Sequence, residues 1–164
     1  MTYIVADCAS HQLAQIAAQN EDWIIEYALS VLERRVFKGD PLLESPTDVQ
    51  NYLRLKLVPE PSEIFGAVFL DSRLGAIAYE PLFTGTISST TVHPRVVVQR
   101  ALVHNAAAVL LVHQHPSGCS QPSKADELLT ASLTAALAVF DIRVVDHMII
   151  GKGRPYSFAE TGLL

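Results

Sequence analysis

AVLLVHQHPSGCSQPSKAD, residues 108–126, is the stretch from which the rest of the chain can be read. It opens on five apolar residues, Ala108 to Val112, with no polar position to face water, the pattern of a strand covered on both faces. A glycine-containing loop follows, and Ser123 with Asp126 then reads as a helix start. His113 and His115 stand at the carboxyl end of the strand, where open α/β sheets place their sites. Residues i and i+2 of an extended chain share a face and lie within roughly 7 Å of each other, so both imidazoles can converge on one ion. Asp126, returning from the first helical turn, offers a third ligand. Two His and one carboxylate, with the fourth position left to water, is a common catalytic zinc arrangement. Each piece alone has a plainer reading: His-x-His is usually surface or core histidine, and Ser123 with Asp126 can be only a helix cap. Bracketing one loop behind a buried strand, the two pieces together favour metal.

Working outward, strands and helices alternate. EDWIIEYALSVLERRVF (21–37) places Ile24, Ile25, Ala28, Leu29, Leu32 and Val36 on one helical face, and Lys38-Gly39-Asp40-Pro41 stops it. Residues 1–41 are therefore expected to form a helical arm, and 42–164 the main domain. Ser45-Pro46-Thr47-Asp48 opens a second helix that runs through Tyr52, Leu53 and Leu57 to near Pro59. IFGAVFLD (64–71) and GAIAYEPLF (75–83) read as two strands joined by a turn, and GTISSTTV (85–92) as a third. A helix is expected from Pro94 to Ala108 and another from Ser123 to Phe140, followed by a strand over 142–150, a glycine turn and a short SFAE segment. The whole predicts an α/β layer structure around a central sheet.

Composition narrows the function. The chain of 164 residues is 49% hydrophobic and 18% charged, as expected of a globular domain. No apolar run approaches the ~20 residues of a membrane helix, and the N-terminus lacks the pattern of a secretory signal. Cys8 and Cys119 form no C-x-x-C pair, so the cytoplasm is the expected compartment. The net charge is −5 and the basic residues are scattered, without the basic face that nucleic-acid binding usually needs.

His113-Gln114-His115, seven residues, Ser123, two residues, Asp126 resembles the JAMM motif, H-x-H-x7-S-x-x-D, in order and spacing. VHPR (92–95), HNAAAVLL (104–111), HPSG (115–118), PSKAD (122–126), DIRVVDHMIIG (141–151) and the terminal SFAETGLL are similar to the RadC family, the bacterial branch of JAB/MPN domains. The resemblance covers residues 42–164 or nearly so. It implies a JAB/MPN-type α/β fold, a mixed β-sheet flanked by helices with a layout related to cytidine deaminases. It further implies a Zn2+ ion on His113, His115 and Asp126, with Glu63, ahead of the strand IFGAVFLD, as general base. Ser123 carries over as a donor to the developing oxyanion. The plainer readings are a solvated strand-edge carboxylate for Glu63 and a helix cap for Ser123; Glu80, in the next strand, is the second choice of base. His93 could line the site, whereas His104 and His147 read as structural or supporting, His11 as surface and Cys119 as an ordinary loop residue. Gln114 stands where RadC sequences usually carry Asn. The helix-hairpin-helix module that precedes this domain in full-length RadC proteins is not recognisable in residues 1–40, so the chain resembles a short, stand-alone form.

The implied activity is zinc-dependent hydrolysis of a peptide or isopeptide bond in a peptide or protein substrate. The competing expectation, from the family name, is a DNA repair or recombination accessory without a catalytic role, although the charge argues against direct DNA binding. A deaminase is disfavoured, since the H-x-E…P-C-x-x-C signature is missing. A metal-free scaffold is disfavoured by the intact ligand set. No membrane partner is expected, and a homodimer is compatible with either reading.

Overall fold

Side-chain alternation in two neighbouring strands decides which layer each functional group faces. The computed structural model describes residues 3–37, 46–86 and 90–164, with side chains from Asn20 onward except that of Pro46. Along the chain these form α1 (Tyr3–Val36), α2 (Pro46–Leu57), β1 (Ile64–Leu70), β2 (Ala76–Thr84), α3 (Pro94–Val103), β3 (Ala108–Gln114), α4 (Lys124–Ala138), β4 (Arg143–Ile150) and β5 (Tyr156–Ser157). The sheet order is β2-β1-β3-β4-β5; β3 and β4 are parallel and every other neighbouring pair is antiparallel. It is a mixed α/β sheet flanked by helices, as the sequence predicts.

β1 and β3 are buried at every position because helices cover both faces. Ile64, Val68, Leu110 and Val112 pack with Val36, Val49, Leu53 and Leu57 in one core, on the α1/α2 side. Phe65, Ala67, Phe69, Val109 and Leu111 pack with Val97, Ala101, Leu133 and Leu137 in the other, on the α3/α4 side. His113 pairs with Phe65 across the β1–β3 ladder, so it lies on the face that carries α4. Glu63, two residues before Phe65, shares that face.

β2 approaches β1 closely at Gly66, where the ladder shifts register. A Cβ there would lie 2.6 Å from the Glu80 carbonyl oxygen and 3.1 Å from the Tyr79 ring. The nearest of these atoms is backbone of a paired strand and cannot rotate away. Gly66→Ala is therefore expected to destabilise the protein by about 1–3 kcal/mol, read as a lower urea midpoint. An unchanged midpoint would mean that β2 can move outward without loss.

Several elements differ from expectation. α1 runs from Tyr3, within the expected helical arm, but only the end of its expected apolar face is used: Leu29, Leu32 and Val36 pack on the core, while Ile24 and Ile25 are exposed. The Lys38–Pro41 stop, the Ser45 cap, and the Cys8 and His11 side chains lie outside the described residues. α3 ends at Val103 rather than Ala108, because Asn105 adopts a left-handed backbone (φ 50°) and the Ala106 N–H turns back to the Ala101 carbonyl. The described residues of 85–92 contain no strand. Gly85 and Thr86 exchange backbone hydrogen bonds with Glu63 and so prolong the hairpin by one step; Thr90 and Val92 then line a cleft. Alternating β-branched residues there mark a cleft wall. No described helix is long and apolar enough to cross a membrane.

Candidate metal centre

β3 delivers His113 into the interior, 6% exposed, and His115 just beyond its end. The His115 backbone N–H donates to the Ile150 carbonyl at 2.9 Å, which fixes the loop to β4. His115 Nδ1 lies 3.0 Å from the Cys119 carbonyl oxygen. A carbonyl only accepts, so Nδ1 carries the proton and Nε2 keeps its lone pair for a ligand. That Nε2 is 3.9 Å from Asp126 Oδ2, and the two imidazole rings stand nearly perpendicular with centroids 4.6 Å apart. One ligand atom each from His113, His115 and Asp126 lies within 4.8 Å of the others.

Asp126 reaches this point because it belongs to a capping box. Ser123 is the N-cap of α4; its Oγ accepts from the Asp126 N–H at 3.2 Å, and its own N–H donates to Asp126 Oδ2 at 2.7 Å. The Ser123 hydroxyl donates to the same Oδ2 at 2.6 Å. The cap thus engages Oδ2 and leaves Oδ1 facing His113 Nδ1 at 2.8 Å. The plain cap reading of these residues is realised, and the cap leaves Asp126 placed where it could hold a metal ion. Burial alone would raise the Asp126 carboxyl, but the adjoining His113 imidazole and the bonds from Ser123 outweigh it and hold the group below the usual carboxylate range. Burial likewise pushes the His113 imidazole down, and the Asp126 and Glu63 carboxylates on either side bring it above its ordinary value. Two anions converging on the buried His113 imidazole, with the half-buried His115 beside it, form a cavity that favours a cation.

His113 Nδ1 gives the test of fit. It is buried and, despite its nearness to Asp126, has no partner in hydrogen-bond geometry. An ion shared by the imidazole and carboxylate would satisfy it, and the donor set, two nitrogens and one oxygen, suits zinc. The residues present therefore fit the group.

Glu63 is buried, 7% exposed, and its Oε1 is 2.5 Å from His113 Nε2. Its backbone is pinned by Thr86 and Gly85 at 2.8 Å each and by Thr90 Oγ1 at 3.3 Å. It is no solvated edge residue. A cleft of about 520 Å³ opens over this group, walled by Thr90, Val92, Pro116, Ser123 and Leu129. Glu80 is held elsewhere: Arg100 donates to both its oxygens, at 2.7 and 2.5 Å, and His104 Nε2 lies 2.8 Å away. Mainly through the Arg100 bonds, its carboxyl is pulled down to about 2. It does not line the cleft, and neither does His93, which caps α3 beside Phe83.

Thr130 escaped the sequence reading. One turn behind Asp126 on α4, its hydroxyl donates to the Asp126 carbonyl at 2.6 Å and sits 2.7 Å from His147 Nδ1. A hydroxyl has one proton, so His147 must donate from Nδ1. Burial, then the charge of His113, lowers the His147 imidazole to about 3, so the ring is neutral, and it stacks parallel to His113 at 6.2 Å. The signal was available in the Asp126/Thr130 spacing of one helical turn.

A mixed sheet flanked by helices, with His113, His115 and Asp126 gathered at one strand end, has the form of a JAB/MPN domain. The family model for the RadC-like JAB domain matches residues 43–163, and the chain belongs to that family. It is 49% identical over 141 residues to a UPF0758 protein of Azotobacter vinelandii, an overlap that covers 86% of this chain and 62% of the relative. A UPF0758 protein of Nitrosococcus oceani is 53% identical over 133 residues, covering 81% and 59%. That of Leptothrix cholodnii is 53% identical over 124 residues, covering 76% and 56%. The chain thus spans about three fifths of the length of these relatives.

Proposed function

We propose that this chain is a zinc-dependent hydrolase of the JAMM metallopeptidase type, cleaving a peptide or isopeptide bond. The observation that carries the reading is Glu63: a buried carboxylate outside the ligand triad, pinned by its backbone, opening on the same cleft at 2.5 Å from a candidate ligand. His113, His115 and Asp126 would hold the ion, which supplies Lewis acidity to the water and the amide carbonyl. Glu63 orients the water, accepts its proton as the oxygen bonds to the carbonyl carbon, and delivers that proton to the leaving nitrogen as the C–N bond breaks. Ser123 stands at the cleft wall, and rotation of its hydroxyl away from Asp126 lets it donate to the oxyanion. Thr90, Val92 and Leu129 shield the proton transfers from bulk water. The test is hydrolysis of a peptide pool by the zinc-loaded protein. Cleavage that disappears in Glu63→Gln supports the reading, and no cleavage, or equal cleavage by both, refutes it.

The partner this reading requires is a peptide or protein. Exposed, unpaired Cys119 suits the reducing cytoplasm. Duplex DNA is expected to bind weakly and to dissociate near physiological salt, since a chain of net charge −5 has few cations to replace counterions. Fluorescence anisotropy across a salt series checks this, and nanomolar, salt-resistant binding would favour the DNA repair role instead.

A further inference from the structure

His115 and Pro116 line both the cleft over the metal centre and, on their other side, a neck of about 20 Å³ bordered by Gly118 and Gly151. Val58 and Lys152 line both this neck and a second cleft of about 430 Å³ beyond it, which α2 walls with Arg54 and Leu55. Two glycines keep the neck open. A Cβ on Gly151 would lie 2.5 Å from the Gly118 carbonyl oxygen, and Gly118 itself has a left-handed backbone (φ +83°). The Lys152 stem lies across Gly118, so that a Cβ there would meet its Cγ and Cδ at 2.9 Å. The backbone Lys152 N–H also donates to the Gly118 carbonyl at 3.0 Å. The loop that carries the metal ligand thus holds Lys152 at the mouth of the second cleft.

This second cleft is cationic in an acidic protein. Among the described residues no carboxylate lies within ion-pair reach of Arg54 or Lys152, and neither the neck nor the second cleft is lined by Asp or Glu. Arg54 Nε is moreover buried without a hydrogen-bond partner. A buried guanidinium N–H left unpaired is costly, and a planar carboxylate is the group its fork matches. Apart from the Asn51 amide, the remaining walls, Leu32, Leu55, Val58 and Pro59, are apolar and suit the stem of an amino-acid side chain better than a hydrated sugar-phosphate.

We propose that the second cleft is a substrate subsite: a peptide running from the metal centre over His115–Pro116 places a carboxylate between Arg54 and Lys152. This rests on the hydrolase reading for the identity of the substrate, but binding can be measured without turnover. The carboxylate could be an acidic side chain or a free C-terminus, and the probes separate the two.

The experiment uses fluorescein-labelled pools of random neutral octapeptides, with one Glu or one Gln scanned through the positions and the C-terminus free or amidated. Anisotropy is read on zinc-loaded Glu63→Gln protein. The pools with Glu, or those with a free C-terminus, are expected to bind roughly tenfold or more tightly than their neutral counterparts. Arg54→Met and Lys152→Met are expected to abolish that preference while zinc content and thermal stability stay unchanged. A preference that survives both substitutions, or none in the parent protein, overturns the subsite. So does a labelled single-stranded oligonucleotide that binds more tightly than every peptide pool. If acid preference is lost in both variants yet the protein with Glu63 intact cleaves none of the pools, the subsite stands and the hydrolase reading fails.

Discussion

His115→Ala is expected to leave purification folded and without metal, where the parent protein holds about one zinc per chain. Loss of a direct donor should cost at least the ~10–100-fold in affinity that removal of a group merely supporting a ligand costs. The fold should survive because both hydrophobic cores form without the site, and the His115 side chain sits beyond the strand end. His113→Ala is a harsher change, since its ring packs against Phe65 and His147 and its removal leaves a cavity. Metal content by elemental analysis, with a melting curve from circular dichroism, separates the two effects. Full zinc retention in the double His113→Ala/His115→Ala variant would remove the assignment altogether.

The second large effect is expected at Glu63. Zinc retention needs no contribution from this residue, because two imidazoles, Asp126 and water fill a tetrahedron. Glu63→Gln keeps the volume and can still bond to His113, but an amide cannot take up a proton at neutral pH. Turnover should fall by roughly a hundredfold or more with metal content and fold unchanged. Glu80→Gln serves as the control: it weakens the tie to Arg100 and His104 on α3 and should leave turnover nearly intact. If Glu80→Gln abolished turnover and Glu63→Gln did not, the wrong carboxylate would have been named, although the metal assignment would stand.

Much of this was legible in the chain because its strongest signals are local. Ala108–Val112 announces a strand buried on both faces, and His-x-His at its end needs only the two-residue period of extended backbone to converge. Ser123 and Asp126 announce a helix start whatever else they do. What could not be read depends on tertiary pairing. Nothing in GTISSTTV distinguishes a strand from a cleft wall, since its alternation is that of a strand and only the return of Thr90 to the Glu63 carbonyl shows where it goes. Glu63 and Glu80 were hard to separate for the same reason: both flank apolar strand residues. Arg100 on α3 and His104 at its C-cap decide between them by engaging one and leaving the other to the cleft. The end of α3 at Val103 rests on a single left-handed asparagine, a choice that helical periodicity does not register.

The β1–β3 ladder also says where this domain can tolerate insertions. Its seven pairs, from Ile64 with Gln114 to Leu70 with Ala108, run without interruption, whereas irregularities occur between β1 and β2 and between β3 and β4. A residue added to an outer strand can be absorbed as one more bulge, at the cost of local twist. A residue added within β1 or β3 would turn Glu63 or His113 through the sheet into the opposite core, burying a charge among aliphatic side chains. Length variation should therefore be accommodated at the periphery, while the two central strands keep their length to the residue.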